Sequence, residues 1–158
     1  MINRELVNPK SIVVIGASEN LRKPGGKVLY NILQGKYKGK LYAINPKEEK
    51  VQGVKCVKPE DLPNIELAII SVAVNHVKGY VEYLAKEKKT KAFIILSAGF
   101  GEMGEEGKKL EKEIVAIVNK YKAALIGPNC IGVLTTHYNG IFAGPIPKLD
   151  PAGCDFVS

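Results

Sequence analysis

The stretch Ser11-Ile12-Val13-Val14-Ile15-Gly16-Ala17-Ser18 decides the fold. Five residues, four of them β-branched and apolar, form a run with no polar alternation, as expected for a strand covered on both faces. The run opens directly into a glycine turn. After it come Arg22-Lys23-Pro24-Gly25-Gly26 and then an apolar stripe at helical spacing, Val28, Leu29, Ile32 and Leu33. A strand that passes through glycines into a helix makes a phosphate cradle. Glycine lets backbone N–H groups approach the ligand, and the helix N-terminus favours negative charge.

The same alternation continues along the chain. Further strands are expected at Lys40–Ile44, Glu66–Val72, Lys91–Leu96 and Ala123–Ile126. Helical stripes lie between them: Val77, Val81, Leu84 and Ala85, then Leu110, Ile114, Ile117, Val118 and Tyr121. A short element near Glu60-Asp61-Leu62 crosses between the second and third strands. Strands alternating with helices imply right-handed crossovers. The fold class read from this pattern is α/β: a Rossmann-like, doubly wound, mainly parallel sheet with helices on both faces.

Composition sets the outer limits. The chain has 158 residues, enough for one domain with a substantial core, and is 46% hydrophobic and 25% charged, as ordinary globular domains are. No apolar run approaches the roughly 20 residues of a membrane helix. The first residues, Met1-Ile2-Asn3-Arg4-Glu5, lack a secretory pattern, so a cytoplasmic location and no membrane partner are expected. Cys56, Cys130 and Cys154 are odd in number and scattered, which indicates neither a disulfide frame nor a metal site. The net charge of +7 is almost all lysine, mixed with acids as in Lys86-Glu87-Lys88-Lys89. That mixture speaks against a nucleic-acid stripe.

Beyond Gly127 the pattern weakens. Ile141 to Asp150, with Pro145 and Pro147, reads as an extended loop, and Cys154 to Ser158 as a strand that is only beginning. The expected organisation is one binding domain over residues 1–150, with 151–158 opening a following, truncated domain of a longer protein.

In a doubly wound sheet the ligand lies beyond the C-terminal strand ends. Every special stretch falls there: Gly16-Ala17-Ser18 with Arg22, Asn45-Pro46-Lys47, Ser71-Val72, Ser97-Ala98-Gly99, and Gly127-Pro128-Asn129-Cys130. The end of the second strand discriminates between ligands. An NAD domain usually carries an acid there for the ribose hydroxyl, whereas this chain carries Lys47. A cation at that point suits a nucleotide with an extra ribose phosphate, and NADP and coenzyme A both fit. The first loop also departs from G-x-G-x-x-G, since Gly16 is followed only by Gly25 and Gly26.

Taken in order, Ile15-Gly16-Ala17-Ser18, Asn45-Pro46-Lys47, Ser97-Ala98-Gly99-Phe100 with Glu102 and Gly104, and Gly127-Pro128-Asn129-Cys130-Ile131-Gly132 resemble the N-terminal CoA-binding domain of the ADP-forming acyl-CoA synthetases, relatives of the succinyl-CoA synthetase alpha subunit. The resemblance spans essentially the whole chain. It implies a role in the reaction acyl-CoA + ADP + phosphate ⇌ acid + CoA + ATP, with acetyl-CoA the foremost substrate. It places Gly16, Ala17 and Ser18 on the CoA phosphates and Lys47 on the ribose phosphate or diphosphate. Ser97, Ala98 and Gly99 fall along the pantetheine path, and Asn129 and Cys130 near the thiol end. Arg22, Ser71 and Val72 join the cofactor-binding set as members of the same rim. The implied partners are the remaining synthetase domains or a beta subunit with an ATP-grasp fold.

No catalytic residue is assigned within the chain. The family's phosphorylated histidine belongs to a following domain, and neither His76 nor His137 matches its context. Cys130 stands at a possible helix start, where a thiol pKa falls, yet has no histidine beside it and reads better as a small packing residue. Glu102, Glu105 and Glu106 are expected to cap the helix that follows them. Two further readings remain open from sequence alone: a standalone, non-enzymatic CoA-binding protein, and an NADP-binding redox domain.

Overall fold

The computed structural model describes residues 2–146 and 156–157. A short helix α1 (Arg4–Val7) precedes strand β1 (Ser11–Ile15). Then follow α2 (Pro24–Gln34), β2 (Lys40–Ile44), a small hairpin of β3 (Lys50–Val51) and β4 (Val54–Lys55), and a 3-10 turn at Pro59–Asp61. Next come β5 (Leu67–Ile70), α3 (Val74–Glu87), β6 (Ala92–Ile95), a second 3-10 turn at Gly101–Met103, α4 (Glu105–Lys120) and β7 (Ala124–Ile126). The chain continues through β8 (Gly132–Leu134) and β9 (Asn139–Ile141) to β10 (Phe156–Val157).

The main sheet is five-stranded and parallel throughout, in the order β2-β1-β5-β6-β7. The chain winds outward from β1 to β2, then returns to place β5 on the other side of β1. The switch point of a doubly wound sheet therefore lies between the C-terminal ends of β1 and β5.

Alternating residues of β1 show why its sequence is continuously apolar. Ile12 and Val14 enter one core with Val28, Leu29 and Ile32 of α2, while Val13 and Ile15 enter the other with Val77, Val81 and Leu84 of α3 and Ile114 and Val118 of α4. All five residues of β1 are buried, because each face meets a helix layer. The expected stripes are the buried faces, with Leu33, Leu110, Ile117 and Tyr121 at their half-buried margins.

The first two expected strands have the observed limits, whereas the third, fourth and fifth are each shorter than read from sequence. Some trimmed residues still bond across to the neighbouring strand, as Ser71 N–H does to the Ile15 carbonyl and Leu96 N–H to the Ile70 carbonyl, so the differences lie at the strand ends. The β3–β4 hairpin and the antiparallel β10-β8-β9 sheet were not anticipated. Two- and three-residue strands carry too few residues to show a period. Residues 147–155, the last part of the expected loop and the first part of the expected terminal strand, lie outside the described residues. Phe156–Val157 does run as a strand, antiparallel to β8.

Candidate functional site

Five loops meet on the rim formed by the C-terminal strand ends, and a continuous series of contacts joins them. Asn45, after β2, donates through Nδ2 to the Ala17 carbonyl at 2.9 Å. Gly16, after β1, has φ +83°, and a Cβ there would collide with the Ser71 carbonyl after β5. Val72 and Ser97 are joined by two hydrogen bonds, and the Asn129 N–H donates to the Ser97 carbonyl at 3.0 Å. The rim is thus one surface. Gly16 is required twice over, by its left-handed backbone and by the close approach of β5.

The first loop is rich in unsatisfied donors. The N–H groups of Ala17, Ser18, Glu19, Gly25 and Gly26 have no hydrogen-bond partner among the described residues. Helix α2 has Pro24 in its first turn, no side-chain cap and no acidic residue there. Gly25 packs so closely that a Cβ would strike the Gly16 carbonyl, which brings the helix start against the loop. Two exposed cations flank this array. Arg22 and Lys47 have their backbones set by Asx turns, from Asn20 Oδ1 at 2.9 Å and Asn45 Oδ1 at 2.8 Å, and their side chains make no ion pair or hydrogen bond among the described residues. Open backbone donors, an uncapped helix N-terminus and two uncommitted cations make a receptor for a polyanion.

The fourth loop looks similar in sequence and is different in charge. Gly99 has φ +102°, but its N–H donates to Glu102 Oε1 at 2.6 Å. That bond, with further N–H groups of Glu102 and Phe100, holds the Glu102 carboxyl below the usual range. This loop therefore carries its own anion. Glu102 does not cap α4: the cap position is Gly104, and Glu105 and Glu106 occupy the first turn. Ser97 is half-buried and turned to Val72, and Ala98 is exposed.

In the fifth loop Asn129 is exposed with φ +55°, next to a cis Gly127–Pro128 bond. No helix starts at Cys130, and the chain enters β8 instead. The thiol is half-buried, approaches the Ile95 carbonyl at 3.4 Å, and is pushed up in pKa by burial. These features describe a packing residue rather than a nucleophile. His76 lies exposed in the first turn of α3, and His137 lies in the turn between β8 and β9.

Sequence reading missed two parts of the site. Gln52, at the tip of the β3–β4 hairpin, donates from Nε2 to the carbonyls of Ser18 at 2.7 Å and Gly26 at 2.8 Å. Its signal was available, since Val51-Gln52-Gly53-Val54 is a two-residue hairpin turn between apolar residues. The second part is a cleft of about 400 Å³ beside Lys47, lined by Pro46, Glu48, Val57, Pro59 and Tyr80 among others. Pro59 and Tyr80 also border an adjoining hollow of about 390 Å³ with His76 and Tyr83. No local motif marks either hollow, because each is assembled from segments far apart in sequence, three around the first and two around the second.

The family model described as "CoA binding domain" matches residues 10–136. The chain belongs to the CoA-binding domain family. This CoA-binding domain is 47% identical over 136 residues to the alpha subunit of acetate–CoA ligase [ADP-forming] II from Pyrococcus furiosus, covering 84% of the chain and 29% of that protein. It is 38% identical to 4-hydroxybutyrate–CoA ligase [ADP-forming] of Nitrosopumilus maritimus, over 94% of the chain and 22% of the relative. Among solved structures, the acetyl-coenzyme A synthetase 1 of Ca. Korarchaeum cryptofilum, in complex with phosphate and ADP, superposes with a TM-score of 0.82 at 34% identity. That match covers 89% of this chain and 31% of the other. The domain thus spans less than a third of the length of these relatives. Among its described residues no helix is long and apolar enough to cross a membrane.

Proposed function

We propose that this chain is the CoA-binding part of an ADP-forming acyl-CoA synthetase, with acetyl-CoA the foremost substrate. The observation that carries the reading is the open donor set of Ala17, Ser18, Glu19, Gly25 and Gly26 beside the uncommitted Arg22 and Lys47, in a domain of the CoA-binding family. The first loop takes the diphosphate, and Gly16 keeps that loop against β5. Lys47 takes the ribose phosphate, and the adenine lies in the cleft of Pro46, Val57, Pro59 and Tyr80. From there the pantetheine arm crosses Ser71 and Val72, passes Ser97, Ala98 and Gly99, and brings the thiol toward Asn129 and Cys130.

The chain's own part is to bind CoA and aim its thiol. The phosphorylated histidine and the ATP site come from the remaining synthetase domains, the first of which begins near residue 151, or from a beta subunit with an ATP-grasp fold. The enzyme works in the cytoplasm. The relatives support this division, since each is a much longer ADP-forming ligase or ligase subunit. Titration calorimetry with CoA, NAD and NADP tests the reading. CoA is expected to bind and the dinucleotides to bind weakly or not at all. Tight NADP binding without a CoA signal would overturn it.

A further inference from the structure

The geometry points to Gln52 as the positioning residue of the phosphate loop, a role that rests on the CoA reading above. Gln52 and Gly53 form the turn of the β3–β4 hairpin with φ +48° and +85°. The turn delivers one amide to two places. Both Nε2 hydrogens are used, one on Ser18 O and one on Gly26 O. The Gln52 main-chain N–H donates to the Glu19 carboxylate. Gln52 Oε1 is buried and has no partner among the described residues. The orientation of the amide is not arbitrary, because two carbonyls can be satisfied only by the NH2 side. A buried acceptor left without a donor is unfavourable. The site accepts that cost to place two donors at fixed points.

A peptide group is planar, with C=O and N–H pointing opposite ways. Drawing the Ser18 carbonyl toward Gln52 therefore turns the Glu19 N–H away from the hairpin. That N–H is one of the open donors of the first loop. The bond to Gly26 fixes the first turn of α2 in the same act, next to the Gly25 and Gly26 donors. Gln52 itself touches no ligand in this scheme. It sets the direction of the groups that do.

Two variants of this chain test the role. Gln52→Met keeps the length of the side chain and removes both donors. Gln52→Glu places a carboxylate against two carbonyls. At pH 7.5 CoA affinity is expected to fall about tenfold for the methionine variant and further for the glutamate variant. Lowering the pH toward 5 returns a proton, and hence one donor, to the glutamate variant. Its affinity should then recover relative to Gln52→Met at the same pH. The titratable side chains on the segments around Gln52 are Glu19, Arg22, Lys23, Lys27, Lys47, Glu48, Glu49, Lys50 and Lys55, and all are common to both variants, so the difference isolates position 52. A role in folding alone is read separately from the Tm of each variant at both pH values: recovery of affinity while both variants stay fully folded is the mark of positioning. CoA binding equal to wild type in both variants, or no recovery in Gln52→Glu, overturns the role. If wild type fails to bind CoA, the CoA reading falls on its own, and the amide NMR signals of Glu19 and Gly26 decide the role of Gln52. Unchanged signals in Gln52→Met would reject it, and displaced signals would support it.

Discussion

The Ser97 hydroxyl stands between the two halves of one residue's backbone: it donates to the Val72 carbonyl at 2.6 Å and accepts the Val72 N–H at 3.1 Å. The last backbone bond between β5 and β6 runs from the Leu96 N–H to the Ile70 carbonyl, and beyond it the hydroxyl takes both backbone groups of Val72. Ser97→Ala leaves a part-buried donor and acceptor unpaired, at about 1–3 kcal/mol. Denaturant unfolding should show that loss, and Ser97→Thr, which keeps the hydroxyl, should recover most of it. An alanine variant as stable as wild type would mean that water replaces the bond without cost.

The Lys47 side chain has no partner among the described residues, so its removal should not cost stability. A charge-assisted contact to phosphate is worth about 1.5–3 kcal/mol, so Lys47→Ala should weaken CoA at least about tenfold. On the ribose phosphate, the loss disappears when dephospho-CoA is the ligand. An equal loss for both ligands places Lys47 on the diphosphate instead.

Gly16 and Gly53 have nearly the same backbone, φ +83° and +85°, but opposite surroundings. A Cβ on Gly53 meets nothing within 4 Å, so Gly53→Ala should cost only the conformational term of about 1–2 kcal/mol. A Cβ on Gly16 meets the Ser71 carbonyl, so Gly16→Ala should cost clearly more and reduce CoA binding as well. Thermal unfolding of the two variants side by side makes the comparison.

Glu66 receives both guanidinium nitrogens of Arg4, at 2.8 and 3.1 Å, and the Lys10 N–H at 2.7 Å. The Arg4 hydrogen bonds, foremost, hold its carboxyl below the ordinary value of about 4.3. The folded state thus binds that proton less readily than the unfolded chain. The stabilisation is full above about pH 4.3 and is lost as the pH falls through the lowered folded value. The Tm difference between wild type and Glu66→Gln should be constant near neutrality and shrink in acid. A difference that grows in acid would contradict the sign.

The purified chain, given acetyl-CoA, ADP and phosphate, should form no ATP above the protein-free control. Label from ATP should appear on neither His76 nor His137. ATP formation, or label on either histidine, would place catalysis inside this domain.

The sheet was legible because its central strands β1, β5 and β6 are buried on both faces and so announce themselves as unbroken apolar runs, β1 most plainly. The stripes of α2, α3 and α4 followed from spacing alone. The rim was legible because glycines with positive φ, such as Gly16 and Gly99, sit at strand ends where little else fits. What the rim residues do to one another was not legible. Ser97 reads as a ligand-facing polar residue, yet its hydroxyl serves Val72. Glu102 reads as a helix cap, yet it serves Gly99. Gln52 lies 34 residues from Ser18 and carries no motif of its own. Such pairings depend on which carbonyl or N–H the fold leaves unsatisfied, and that is decided only when distant segments meet.

Glu102 gives the rim a head and a tail. A molecule with phosphates at one end and a thiol at the other would find two glycine loops of comparable shape, one after β1 and one after β6, and a symmetric rim would let it lie either way round. The chain breaks that symmetry in how each loop's carboxylate is held: Glu102 takes up the Gly99 N–H of its own loop, whereas Glu19 is engaged by the Gln52 N–H of the hairpin and leaves the donors after β1 open. On the proposed reading, the direction of the ligand, and so the side on which its thiol emerges, would follow from a donor already taken at Gly99 as much as from the donors left open beyond Gly16.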